Sequence, residues 1–386
     1  MDRTNSRLRT RVVSIAALLM LPMNAGCRQG KWTLWESYAS RFIDGQGRVI
    51  DPADDRTTSE GQAYALFFAL VNNDRARFDC VLQWTKDNLA QGDLGVHLPA
   101  WLWGKGNDGA WRTLDLNSAS DSDTWFAYTL LEGGRLWDQP GYTKMARELM
   151  AQIARSEVAD LPGFGAMLLP GPAGFVHKGT WTLNPSYLPA FVFERLAQAD
   201  PAGPWRKIAE SIPRFIRQSA VNGYAMDWVN YVPGKGFFPA THFADAKEPS
   251  GGSYDAIRVY LWAGMMDEKD PARAVILDAL PSMATYLATH DFPPERISEH
   301  GIPSSQGGNV GFSAALMPYL KAMPGSGKAL ARQSIRMSAE RDPESGLLGN
   351  RRAYYDQNLA LFATGFLEKR FRFDARGELQ LEWAHE

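Results

Sequence analysis

The feature that most limits the fold is a repeated alternation of two helix patterns. Residues 63–71 are apolar on every face, so a helix there has to be buried all round. Residues 74–89 instead place Phe78, Val81, Leu82 and Leu89 on one side and charges on the other, as an outer, half-exposed helix does. The couplet returns at 121–137 with 142–154, from 184 with 204–219, at 253–266 with 271–289, and at 309–322 with 326–339. A sixth apolar segment, 354–371, has no successor to pair with, and the amphipathic stretch 32–43 near the start can serve instead. Starts near residues 59, 121, 184, 253, 309 and 354 give a period of roughly 45 to 70 residues. An open solenoid needs capping repeats at both ends, a need that disappears if the first helix pairs with the last. The expected fold is all-α: an (α/α)6 barrel of six inner and six outer helices, with short β-hairpins in the loops. The last hairpin is expected at 371–383, around Asp374-Ala-Arg-Gly377. A generic helical array is the alternative, but the all-apolar helices need burial on both sides.

In such a ring the inner helices run parallel and their N-termini gather at one end. Ser59, with Gln62 three residues on, reads as a capping box that puts Glu60 at the first helical position. Asn184 reads as a cap with Pro185 at the first helical position, and Ser253 as the cap of the fourth apolar helix. The turns therefore bring Glu60, Asp121, Asp123 and Asp255 to one face. The loops around them are aromatic, with Trp101, Trp103, Trp111, Trp181, Trp228, Tyr231, Phe237 and Phe238. Any one tryptophan serves equally well as core or as a sugar-stacking platform. Trp125, one turn into an inner helix, is the most ambiguous.

Other chemistries find little support. A net charge of −2 gives no electrostatic footprint for nucleic acid. Six histidines, at 97, 177, 242, 290, 300 and 385, include no pair at ligand spacing, so no metal site and no cofactor are expected. Gly325-Ser-Gly-Lys328 lacks the upstream glycine and preceding strand of a phosphate loop and reads as a turn. No Gly-x-Ser-x-Gly elbow is present. What remains is carboxyls facing aromatic loops. Cleaving a glycosidic bond takes one protonated carboxyl and one ionised carboxyl. The bland alternative is that each acid only complements its helix dipole.

Residues 1–27 read as a targeting segment. Arg3, Arg7, Arg9 and Arg11 precede an apolar run at 12–23 that is too short to span a membrane. Asn24-Ala-Gly-Cys27 admits either an imperfect lipobox, with a lipid anchor on Cys27, or ordinary signal cleavage. The expectation is an exported protein, periplasmic or secreted, whose residues 28–386 form a single catalytic domain. With Cys80 then alone, stability has to come from a large core.

Four motifs in order carry a family resemblance: Thr57-Thr-Ser-Glu60-Gly-Gln-Ala-Tyr64, Ala119-Ser-Asp121-Ser-Asp123, Asn184-Pro-Ser-Tyr187 and Ser253-Tyr-Asp255-Ala-Ile-Arg258. They resemble the successive motifs of glycoside hydrolase family 8, and most of all its periplasmic endoglucanases associated with bacterial cellulose synthase. The resemblance implies an (α/α)6 barrel and an inverting endo-β-1,4-glucanase, a monomer acting on cellulose chains, with the cellulose synthase and export complex as a candidate partner. It implies Glu60 as general acid, Asp255 as general base and Asp121 as the acid that holds and distorts the sugar. Tyr64, Trp101, Trp103, Trp111, Asp123, Trp181, Tyr187, Trp228 and Arg258 are the candidate substrate-binding residues. Ser122 and Phe126 depart from the family pattern, which usually has Ala or Gly and Ile or Met there. Xylan, mixed-linkage glucan and chitosan stay open as substrates, and a non-catalytic polysaccharide-binding scaffold stays open as another class.

The resemblance also poses a physical problem. A helix N-terminus favours the ionised form of Glu60, whereas a general acid has to keep its proton. Burial against apolar residues and the charge of Asp121 are the expected remedies. Inversion further requires the Glu60 and Asp255 carboxyls to stand roughly 6.5–9.5 Å apart, leaving room for a water.

Overall fold

A computed structural model describes residues 31–240, 251–349 and 353–385. The targeting segment and Cys27 lie outside the described residues. The chain enters through α1 (Thr33–Phe42), and β1 (Thr57–Thr58) leads directly into α2 (Ser59–Val71) and α3 (Arg75–Leu89). The hairpin of β2 (Ala100–Lys105) and β3 (Trp111–Ser118) takes β1 as its third strand, with Thr57 opposite Trp103. After it come α4 (Ser120–Leu136), α5 (Pro140–Ser156) and the hairpin β4 (Val158–Leu161) and β5 (Gly165–Leu168). Then β6 (Val176–His177) and β7 (Thr180–Leu183) precede α6 (Ala190–Ala199) and α7 (Trp205–Ser219). With β8 (Val229–Val232) and β9 (Gly236–Pro239) they form a four-stranded antiparallel sheet. The remainder is α8 (Ala256–Met265), α9 (Pro271–Ala279), α10 (Ser282–Thr289), α11 (Val310–Ala322), α12 (Gly327–Ala339), α13 (Tyr354–Leu367) and a last hairpin, β10 (Phe371–Phe373) with β11 (Leu379–Leu381). The fold is mostly helical, with sheet confined to the connections.

The helices without a polar face are the ones that make the core. Every residue of α8 and all but the last two of α11 are buried, as are all of α2 except Glu60. The helix α2 packs on α4, α4 on α6, α8 on α11, α11 on α13, and α13 on both α2 and α1. Each of these before α13 also lies against the helix that follows it, as in α2 with α3 and α4 with α5. Phe362 of α13 shows how far round the packing reaches: its ring lies 5.0 Å from Tyr64, 5.4 Å from Phe67, 5.1 Å from Trp125 and 5.1 Å from Trp262, which come from α2, α4 and α8. Trp125 is thus a core residue.

Three boundaries differ from the sequence reading, each for a backbone reason. Pro185 opens only a single 3-10 turn, Pro185–Tyr187, and the third inner helix restarts at Ala190, after Pro189. The outer segment 271–289 is two helices, because Pro281 interrupts the amide ladder between α9 and α10. The last inner helix ends at Leu367, where Lys369 in the left-handed region (φ +64°) turns the chain into β10.

Candidate active site

The three acids singled out by the sequence come from the first turns of three different inner helices. On α2, Thr58 and not Ser59 is the cap: its Oγ1 accepts from the Gly61 amide at 3.1 Å. Gln62 makes no capping box. Its amide group faces inward, accepting from the Val49 amide and donating to Thr85 Oγ1 at 3.0 Å. Capping is therefore complete without Glu60, whose side chain is free to reach into the cleft and is 18% exposed. Ser59, relieved of capping, donates to Ser122 Oγ at 2.9 Å, and Ser122 donates its amide to Asp121 Oδ1 at 2.7 Å. Ser122 hence ties α2 to α4 beside Asp121, a contact that an Ala or Gly at that position lacks.

Arg258, one turn into α8 and 3% exposed, joins the acids. Its Nη1 donates to Glu60 Oε2. Its Nη2 donates to Asp255 Oδ1 at 2.6 Å and to Ser186 Oγ at 3.0 Å, and it lies 3.7 Å from Asp121 Oδ2. One cation thus faces three carboxyls in a site with little water, and not all three ionise together readily. Burial raises Asp121 to about 6, against the two hydrogen bonds from Ser122. Asp255 is pushed well above the usual carboxylate range by burial, then by the charges of Asp227 and Asp121, while the side chains of Asn184 and Trp228 pull the other way. Against Glu60, where an apolar wall was expected, stands this guanidinium, whose charge favours the ionised form.

Asp123 sits differently from the other acids. It is fully buried, and neither of its carboxyl oxygens accepts a hydrogen from an N–H or hydroxyl donor. Its partner is Glu157, just beyond α5, which also accepts from Ser118 Oγ at 2.6 Å. Two carboxylates offer each other no hydrogen, so the contact is a bond only when one is protonated. Burial, above all, raises both, Glu157 to about 7 and Asp123 well above its ordinary range. Asp123 has no surface to offer a sugar, and its carboxyl faces Glu157.

The other candidates divide into two groups. Tyr64 is buried, its ring edge-on to Trp125 and Phe362, and its hydroxyl is close enough to Asp121 and Asp255 for their charges to raise it. Tyr187 is raised in the same way by burial, Asp121 and Asp255, and it packs on Trp228 with ring centres 6.0 Å apart. Of the loop tryptophans, Trp101 is 37% exposed, while Trp103 and Trp111 stack on each other at 5.1 Å beneath the Arg48 guanidinium. Trp181 leans on Tyr231. The sequence reading missed Ser186, Glu157, Tyr355 and Asp227. Ser186 lay inside a quoted motif. Glu157 and Asp227 carry no local pattern and act only through contacts across the fold. Among the described residues no group of three or more His, Cys, Asp or Glu side chains is arranged to hold a metal ion.

Carboxyls gathered from three helices around one cation, beside stacked rings able to lie on sugars, are the equipment of a glycoside hydrolase. The chain belongs to the family described as Glycosyl hydrolases family 8, which it matches over residues 6–369. An endoglucanase from Xanthomonas axonopodis pv. citri (strain 306) is 48% identical over 375 residues, covering 96% of this chain and 95% of the relative. An endoglucanase from Escherichia coli (strain K12) is 42% identical over 98% of both chains. The crystal structure of an endo-1,4-D-glucanase from Vibrio fischeri ES114 superposes with a TM-score of 0.84 at 38% identity, covering 92% of this chain and 99% of that one. The protein is a glycoside hydrolase.

Proposed function

We propose that this enzyme is an inverting endo-β-1,4-glucanase that cuts cellulose chains. Glu60 is the general acid, Asp255 the general base, and Asp121 the residue that holds the sugar at the cleavage point. The observation that carries the reading is the shared guanidinium: Arg258 meets Glu60 through one nitrogen and Asp255 through the other. The contact engages one oxygen of Glu60, so the proton to be delivered is carried on the other, against the bias of the guanidinium toward the ionised form. In the reaction that proton passes to the leaving glycosidic oxygen while water attacks the anomeric carbon and gives its own proton to Asp255. Glu60 ends ionised, Asp255 ends protonated, and exchange with solvent resets both. Arg258, standing between the two carboxyls, keeps them out of mutual contact, which suits a pair that has to admit a water.

The helical scaffold is read here as a closed (α/α)6 barrel, supported by the packing of α13 on α2, α11 and α1. The names of the relatives support a β-1,4-glucan as substrate. The amino-terminal segment supports export to the periplasm or beyond, where the enzyme is read as a monomer acting during cellulose synthesis. The decisive assay incubates the protein with carboxymethylcellulose, xylan and chitosan and counts new reducing ends. Glu60→Gln and Asp255→Asn are each expected to lower kcat on carboxymethylcellulose by about 10³-fold. Unchanged activity in either variant sinks the assignment of that residue. Preference for xylan or chitosan moves the substrate, and no activity on any polymer returns the scaffold reading.

A further inference from the structure

Asp255 occupies the N-cap position of α8, yet its side chain caps nothing. An Asp at this position ordinarily folds its carboxylate back onto the amides of its own first turn. Those amides, of Ile257 and Arg258, donate instead to the Ser253 and Asp255 carbonyls, each at 3.0 Å. A single oxygen of Asp227, Oδ1, accepts from the backbone N–H groups of Ser253 at 2.8 Å, Asp255 at 3.1 Å and Ala256 at 2.7 Å. Asp227 lies in the segment leading into β8, 28 residues before Asp255, and it is fixed in turn by its own amide, which donates to the Gly251 carbonyl at 2.6 Å. The two segments are pressed so close that a Cβ on Gly252 would lie 2.2 Å from the Ala225 carbonyl oxygen.

We propose that Asp227 is a positioning residue for the reaction: it holds the turn leading into α8 by accepting from three of its amides, so that the Asp255 carboxyl is left to face Arg258 and the attacking water. This inference rests on Asp255 being the general base. A second consequence is electrostatic. The groups facing Asp255 are Asp227, Asp121, Arg258 and the hydroxyls of Tyr64, Tyr187 and Tyr355, while Asp227 itself also faces Arg296. A negative charge on Asp227 holds the Asp255 proton to higher pH.

Two variants separate cap from charge. Asp227→Ala removes the acceptor and leaves the amides of the turn open, that of Ala256 among them, for the Asp255 carboxyl to fold onto. The expected result is a fall in kcat of about 100-fold, with a much smaller change in KM. Asp227→Asn keeps an oxygen acceptor and removes the charge. Its kcat falls less than that of Asp227→Ala, and the acid limb of its pH profile moves to lower pH by on the order of half to one unit. A purely structural Asp227 leaves that limb where it is. Amide hydrogen exchange at Ser253, Asp255 and Ala256 reads the cap without reference to activity and speeds up in folded Asp227→Ala. Unchanged exchange, a kcat within twofold of the parent enzyme in Asp227→Ala, or a stationary acid limb in Asp227→Asn each overturn the proposal. If Asp255→Asn retains activity while exchange in Asp227→Ala speeds up, the cap stands and the base assignment is what has failed.

Discussion

Arg258 meets Glu60, Asp255 and Ser186 through separate hydrogens of one planar group. A lysine ammonium offers donors from a single point and does not span carboxyls on different helices in this way. Arg258→Lys is expected to lower kcat/KM on carboxymethylcellulose by at least about tenfold, and to move the acid limb of the pH profile upward, because Asp255 and Asp121 then share a less well placed cation. Initial rates across pH 4 to 8 check both effects, and an unmoved limb with full activity shows that the guanidinium geometry is dispensable. At this scale the sequence was most informative about residue type. An acid in the first turn of an apolar helix is conspicuous, which is why Glu60, Asp121 and Asp255 were legible. Asp123 was equally conspicuous and proved to be a buried partner of Glu157, because position on a helix turn does not say whether the side chain faces the cleft or the neighbouring helix.

The junction of α4 and α5 joins these residues to the stability of the elements. Glu157 and Asp123 are both raised, so the folded state keeps protons that the unfolded chain has already released. Stability is therefore lost as pH rises from the ordinary glutamate value, about 4.3, through the folded value of about 7 for Glu157, and the raised Asp123 adds to that loss. Glu157→Gln can still accept from Ser118 and can donate to Asp123 without a proton to lose. Its melting temperature relative to the parent enzyme is expected to rise between pH 5 and pH 8, and calorimetry at the two values measures the difference. A constant difference contradicts the proton-sharing account. Helix boundaries were legible where periodicity alone sets them, as in α11 with its Asn309 cap and in α12. They failed where a local cue competed with a distant one: Ser59 and Gln62 form a good capping box on paper, but both side chains are used for contacts with α4, the Val49 amide and Thr85.

At the scale of the whole molecule, the C-terminal hairpin closes the end of the inner helices opposite the acids. Phe373 stacks on Phe191 of α6 at 3.9 Å, and Tyr128 near the middle of α4 donates to the Gly377 carbonyl at 2.9 Å. The Leu379 amide donates to the buried carboxylate of Glu132 at 2.9 Å. Phe373→Ala leaves a ring-sized cavity among these helices and is expected to cost about 3–5 kcal/mol in urea unfolding, while the KM of the folded enzyme stays unchanged. A cost below about 1 kcal/mol would show that the hairpin is peripheral. The alternation of apolar and amphipathic segments made the helical scaffold legible from sequence. The site's electrostatics were not, because Arg258, Asp227 and Glu157 act on the acids only after distant loops are brought together. The central claim is that Glu60 and Asp255 act on opposite sides of the glycosidic bond, with water as the attacking group. Proton NMR of a cello-oligosaccharide digest, followed from the first minutes before mutarotation, reads it directly. The account predicts that the α-anomer of the new reducing end appears first, and that neither Glu60→Gln nor Asp255→Asn produces it at a comparable rate; a β-anomer appearing first contradicts it.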